Sequence, residues 1–119
     1  MLKFKNPFAE PEEAPMDAAL VVDNYANNGR LFIGLWTMDE EIGGMTPWCD
    51  VTVNLPFDSL TDENCVFIDV NDAPYLQSFL TENGLAVPTG RKVRSGFVEY
   101  PEFRIDLNKI LQHRMVPTF

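Results

Sequence analysis

A chain of 119 residues, 45% hydrophobic and 12% aromatic, has the length of one domain and too much apolar material for a disordered segment. Its 18 acids against 9 bases give a formal charge of -9, the wrong sign for gripping nucleic acid through a global basic field. No apolar run approaches the roughly 20 residues of a membrane-spanning helix, and no export signal is read at the N-terminus, which points to the cytoplasm.

Residues 1–16 hold three Pro and three Glu with no sustained period. They read as a mobile N-terminal arm that Leu2, Phe4 and Phe8 could pin to the domain. A single domain is expected over 17–114, with a C-terminal tail at 115–119. Asp17–Tyr25 has the short apolar centre of a strand. Ala26-Asn27-Asn28-Gly29 supplies residues tolerant of positive φ, and Arg30–Thr37 is an apolar strand, so the two form a hairpin.

Met38–Pro47 reads as an acidic, glycine-containing loop that reverses the chain. Trp48–Leu55 alternates, with Cys49, Val51, Val53 and Leu55 toward the core and Trp48, Asp50, Thr52 and Asn54 on the wetter face. Asn64–Val70 is a fourth strand. Asp72 and Pro74 read as the entry to an amphipathic helix, Pro74–Asn83, with Leu76, Phe79 and Leu80 on its buried stripe and Asn83-Gly84 as its stop. Leu85–Ser95 reads as a loop. Gly96–Tyr100 and Glu102–Leu107 are two short strands or one bent edge, and Asn108–Arg114 is a final helical turn. Val116–Phe119 reads as a frayed end. The fold class is α+β: an antiparallel sheet of four to six strands, a meander, packed against one amphipathic helix.

Side chains that could carry chemistry do not converge. His113, the single histidine, lies near the chain end without a partner that would tune it as a general base. Asp69, Asn71 and Asp72 begin like a calcium loop but lack its glycine and distal glutamate. Cys49 and Cys65 have no metal-ligand or redox spacing and read as ordinary strand cysteines. No enzyme, metal or cofactor is expected.

Charge is placed unevenly. Residues 10–72 carry 14 acids against the single base Arg30, while 73–119 carry six bases and four acids. Asp39, Glu40, Glu41, Asp58, Asp62 and Glu63, in the loops flanking the Trp48–Leu55 strand, are the candidate contacts for a basic protein partner. Arg91, Lys92 and Arg94, interleaved with Phe97 and Tyr100, are the alternative, a site for single-stranded nucleic acid through phosphate contact and stacking.

The run Val51-Thr52-Val53-Asn54-Leu55-Pro56, then Phe67-Ile68-Asp69, Glu82-Asn83-Gly84-Leu85, Pro88-Thr89-Gly90-Arg91, Ser95-Gly96-Phe97 and Tyr100-Pro101, resembles an uncharacterised family, domain of unknown function 4313. The resemblance covers about two-thirds of the chain, from Tyr25 to Phe103. It implies a small protein of bacterial conjugative elements, plasmids and phages, and transfers no established activity. Such genomic company suggests a non-enzymatic acidic binding protein that inhibits a host defence nuclease, of anti-CRISPR or anti-restriction type, by protein–protein contact. The alternative is a nucleic-acid-binding accessory protein of a conjugative element.

Overall fold

The structure is a computed structural model that describes residues 2–117. Met1 of the expected arm, and Thr118 and Phe119 of the expected tail, lie outside the described residues. The fold is α+β, as the strand chemistry predicted, with antiparallel strands and short helices. Strands β1 (Lys3–Phe4), β2 (Met16–Asn24), β3 (Leu31–Asp39) and β4 (Gly44–Asp50) pair in chain order. A second sheet takes β5 (Thr52–Val53), β6 (Cys65–Ile68), β7 (Ala86–Ser95) and β8 (Val98–Ile105) in the order β5-β6-β8-β7. Helix α1 (Leu76–Glu82) follows β6, and α2 (Leu107–Gln112) follows β8.

The β2–β3 hairpin closes as the sequence indicates. The Gly29 N–H donates to the Tyr25 carbonyl at 2.8 Å, and Gly29 takes φ +71°, a conformation that costs glycine nothing. The β3–β4 turn is narrower than the expected loop and occupies Glu40–Gly43.

The two sheets meet at Val51. Its N–H donates to the Ile33 carbonyl in the first sheet at 2.8 Å, and its carbonyl accepts from the Asp69 N–H beside the second at 3.0 Å. One residue thus hydrogen-bonds both ways, and its side chain is fully buried. This corner breaks the predicted alternation. Thr52, expected on the wetter face, is buried because its hydroxyl accepts from the Ile33 N–H at 3.2 Å and meets the Tyr25 hydroxyl at 3.0 Å. A buried N–H left without an acceptor would cost about 1–3 kcal/mol, so the threonine hydroxyl stands in for a ladder partner.

The helix begins two residues later than predicted. Asp72 does not cap it: Tyr75 occupies the N-cap position without a side-chain hydrogen bond. Asp69 instead organises the entry. Its carbonyl accepts from the Ala73 N–H at 3.1 Å and its carboxylate from the Asp72 N–H at 3.5 Å, so Pro74 lies in a turn ahead of the helix. The predicted stripe is correct, since Leu76, Phe79 and Leu80 are the buried residues of α1. Its stop is also correct. Gly84, at φ +66°, donates to the Thr81 carbonyl at 3.1 Å, and Leu85 to the Leu80 carbonyl at 2.9 Å, the paired bonds of a Schellman ending.

Leu85–Ser95, predicted as a loop, is mostly strand β7. The period is hidden by a bulge: Pro88 pairs with Phe103 and Lys92 with Pro101, so Thr89, Gly90 and Arg91 oppose Glu102 alone. Pro88 is tolerated because β7 is an edge strand. For 96–107 neither two short strands nor a bent edge is found: one continuous strand, β8, runs through Pro101 and lies inside the sheet, between β6 and β7.

One core joins both sheets to both helices. Leu20, Ile33 and Leu35 meet Val66, Ile68 and Phe103 of the second sheet, Leu76 and Leu80 of α1, and Ile110 of α2. The C-terminal segment is tied to β2, where the Leu20 N–H donates to the His113 carbonyl and the Met115 N–H donates to the Leu20 carbonyl, each at 2.8 Å. At the other end Leu2 and Phe4 are buried in the same core, whereas Phe8 is 81% exposed.

Candidate interaction surface

The six acidic candidates fall into two separate groups. Asp39, Glu40 and Glu41 form the turn at the far end of β3, where the Asp39 carboxylate accepts the Glu41 N–H at 3.0 Å and the Ile42 N–H at 3.3 Å. Asp58, Asp62 and Glu63 lie in the β5–β6 loop. That loop is fixed to the opposite end of β3, because Arg30 donates to the Leu55 carbonyl at 2.8 Å and to the Asp58 carbonyl at 2.6 Å. The nine residues of β3 intervene, a span of roughly 30 Å at about 3.3 Å per residue.

The second group is also partly neutralised. Asp62 accepts from Arg104 at 2.9 Å, and this hydrogen bond, helped by the Asn64 N–H, holds its carboxyl below the ordinary carboxylate range. No local signal announces that pairing, since the partners are 42 residues apart.

The first group gains members that sequence reasoning missed. Glu13 and Asp17 line the same shallow depression as Asp39, Glu40 and Glu41, with Trp48 in its wall. Lys3 is the single base there and pairs with Asp17. Among the described residues, Glu13, Asp39, Glu40 and Glu41 have no ion-pair partner. Folding therefore concentrates four unpaired carboxylates at one end of the first sheet, bringing part of the arm beside a turn more than twenty positions away.

The basic candidates do not act as one set. Arg91 turns inward: it donates to Glu102 at 3.0 Å and to the Ser59 carbonyl, and its guanidinium lies 5.7 Å from the centre of the Phe67 ring. Glu102 is completely buried and accepts further bonds from the Thr61 N–H (2.8 Å), the Thr61 hydroxyl and the Thr89 hydroxyl (2.8 Å). Burial pushes its carboxyl up, but the bonds from Thr61 and Thr89 and the charge of Arg91 outweigh that, so its pKa lies below the ordinary value. The bulge thus ties the β5–β6 loop to the second sheet. Arg94 shares its charge with Glu99 at 3.6 Å, which leaves Lys92 without an ion-pair partner among the described residues. Phe97 stands 99% exposed at the tip of the β7–β8 hairpin, and Tyr100 is half-buried opposite Val93.

Asp69 belongs to a carboxylate group of another kind. Burial, then the charges of Asp72 and Asp50, raise its pKa. Among the described residues no cluster of three His, Cys, Asp or Glu side chains is placed to hold a metal ion. Cys49 and Cys65 are free thiols, and burial pushes Cys49 up to about 11. Among the described residues no helix is long and apolar enough to cross a membrane.

No curated protein and no solved structure matches the chain. The matched part runs from within β2 to beyond α2, so both helices and both sheets fall inside it, apart from β1 and the first three residues of β2. The chain belongs to the family described as a domain of unknown function, DUF4313, whose model matches residues 19–117.

Proposed function

We propose that the chain is a non-enzymatic binding protein of a mobile element that presents the acidic depression at the β3–β4 turn to a cationic protein. The partner in this reading is a nucleic-acid-handling host enzyme, such as a defence nuclease, whose basic surface the depression occupies in place of phosphate. The observation that carries it is the gathering of Glu13, Asp17, Asp39, Glu40 and Glu41 around one depression with Lys3 as its single base. Asp58, Asp62 and Glu63 have no part in it, being at the other end of β3. Contact of this kind mainly accelerates association and weakens with salt. The nucleic-acid alternative is not carried forward, because Arg91 is committed to Glu102 and Arg94 is shared with Glu99.

The test is capture from a host lysate with the wild-type chain and with the triple variant D39S/E40S/E41S. Proteins held by the wild type and lost with the variant should be basic nucleic-acid-binding enzymes. Their nuclease activity should fall when wild-type chain is added and recover at high salt. An identical captured set for both chains removes the depression as the interface.

A further inference from the structure

The first strand is an unusual member of its sheet. β1 is two residues long, Lys3 opposite Asp17 and Phe4 opposite Met16, with the Ala18 N–H donating to the Leu2 carbonyl at 2.9 Å. Its side chains nevertheless fill the core: Leu2 is 3% and Phe4 2% exposed. Phe4 stands edge-on to Trp48 at 5.1 Å and to Phe79 at 5.4 Å, and tilted against Tyr75 at 5.8 Å.

The walls of the cleft that receives Phe4 are also held by contacts that do not involve it. Trp48 and Tyr75 are joined directly, indole N–H to phenol oxygen at 2.8 Å, and Phe79 is fixed on the buried face of α1. All three belong to the part of the chain that the family model matches, whereas the arm that fills the cleft precedes it. The connection from Lys5 to Pro15 contains no buried residue and three prolines. It joins two strand ends that lie side by side, a task that hairpins accomplish with about 2–5 residues.

We infer that the cleft between the N-terminal edge of β2 and α1 is a strand-addition site for an extended segment of a partner protein with the pattern apolar–cation–apolar, and that Leu2-Lys3-Phe4 fills it in cis. The arm itself defines that chemistry. Phe4 drops into the aromatic cleft and Leu2 into the core, the backbone extends the sheet, and the central cation faces Asp17 and the acidic depression beside it. Main-chain pairing supplies affinity, and burial of the two apolar side chains supplies selectivity. The tether holds the arm at millimolar effective concentration, so a partner segment must bind well to displace it. The inference goes beyond the reading of the depression, since the cleft would hold its segment whatever the depression contacts.

The experiment uses the full chain with a protease site in place of residues 9–12, cut after folding and separated from the released arm. The probe is a fluorescent peptide of residues 2–8, Leu-Lys-Phe-Lys-Asn-Pro-Phe, followed by anisotropy. The cut chain should bind it at least tenfold more tightly than the uncut chain. A peptide with Leu2→Ala and Phe4→Ala should lose at least tenfold, and one with Lys3→Glu several-fold. The inference is overturned if the cut chain stays folded and takes up no peptide, or takes up the alanine peptide equally well. It is overturned too if cutting unfolds the chain, which would make the arm an inseparable part of the core. A Phe4-dependent dimer of the uncut chain would make a second copy the occupant and would overturn it as well. Because none of these readouts involves Asp39, Glu40 or Glu41, failure here leaves the depression's own test untouched.

Discussion

Arg91 and Glu102 pair at the bulge of the second sheet: the half-exposed guanidinium donates to the buried carboxylate at 3.0 Å, while Thr61 and Thr89 fill the remaining acceptor sites. Losing the carboxylate leaves Arg91, 35% exposed, free to turn to solvent, but strips the Thr61 N–H of its acceptor, and an orphaned buried donor typically costs about 1–3 kcal/mol. Glu102→Ala should therefore lower stability by an amount in that range in urea unfolding. Lys92→Ala, on the same strand but outside any ion pair, should stay within about 0.5 kcal/mol. Equal losses for the two variants would show that the bulge does not depend on its carboxylate.

The same carboxylate sets an acid limit. Its folded pKa lies below the unfolded value of about 4.3. Its contribution is thus complete above that value and is lost as pH falls through the folded pKa. Thermal melts between about pH 5 and pH 2 should fall steeply for the wild type and less steeply for Glu102→Gln, whose side chain carries no charge to lose. Parallel curves would assign the acid sensitivity elsewhere.

Asp69 has the opposite sign. Burial first, then Asp72 and Asp50, raise its folded pKa, so its contribution is greatest below the unfolded value near 3.9 and declines as pH rises through the folded one. Asn keeps the acceptor for the Asp72 N–H without the charge. Asp69→Asn should therefore stabilise the chain at pH 7, by on the order of 0.5 kcal/mol given solvent screening at this half-exposed position. The gain should vanish below about pH 3.5, where the native aspartate is itself protonated. A variant less stable than the wild type at neutral pH would contradict this reading.

Cys49 should be a slow thiol. With its folded pKa at about 11 against about 8.5 for an exposed cysteine, its thiolate fraction at pH 8 is roughly 200-fold lower. Labelling with a maleimide at pH 8 should be correspondingly slower in the native chain than in urea. Rapid native labelling at Cys49 would mean that the thiol is readily uncovered from its place beside the Tyr75 hydroxyl.

Gly84 closes α1 in a left-handed conformation, and a Cβ there would come within 2.9 Å of the Lys109 Nζ. The lysine can swing away, but the backbone strain remains, so Gly84→Ala should cost about 1–2 kcal/mol. A Lys109→Ala background should leave that cost nearly unchanged.

Local structure was legible wherever one short-range signal was sufficient. Leu76, Phe79 and Leu80 declared the buried face of α1, Gly84 its end, and Asn27-Asn28-Gly29 the β2–β3 turn, because spacing and φ preference act within a few residues. The sequence also marked the acidic half of the chain. Tertiary structure alone decided where those charges went. Asp62 met Arg104, Arg91 turned onto Glu102, and Glu13 joined Asp39 across more than twenty positions. Strand β7 escaped notice because three residues oppose one at its bulge and erase the two-residue period. Thr52 was misplaced for a related reason: at the Val51 corner the chain passes from one sheet to the other, so alternation no longer reports which side is inward. Periodicity is a property of a regular strand, and these positions depend on which distant segment lies opposite.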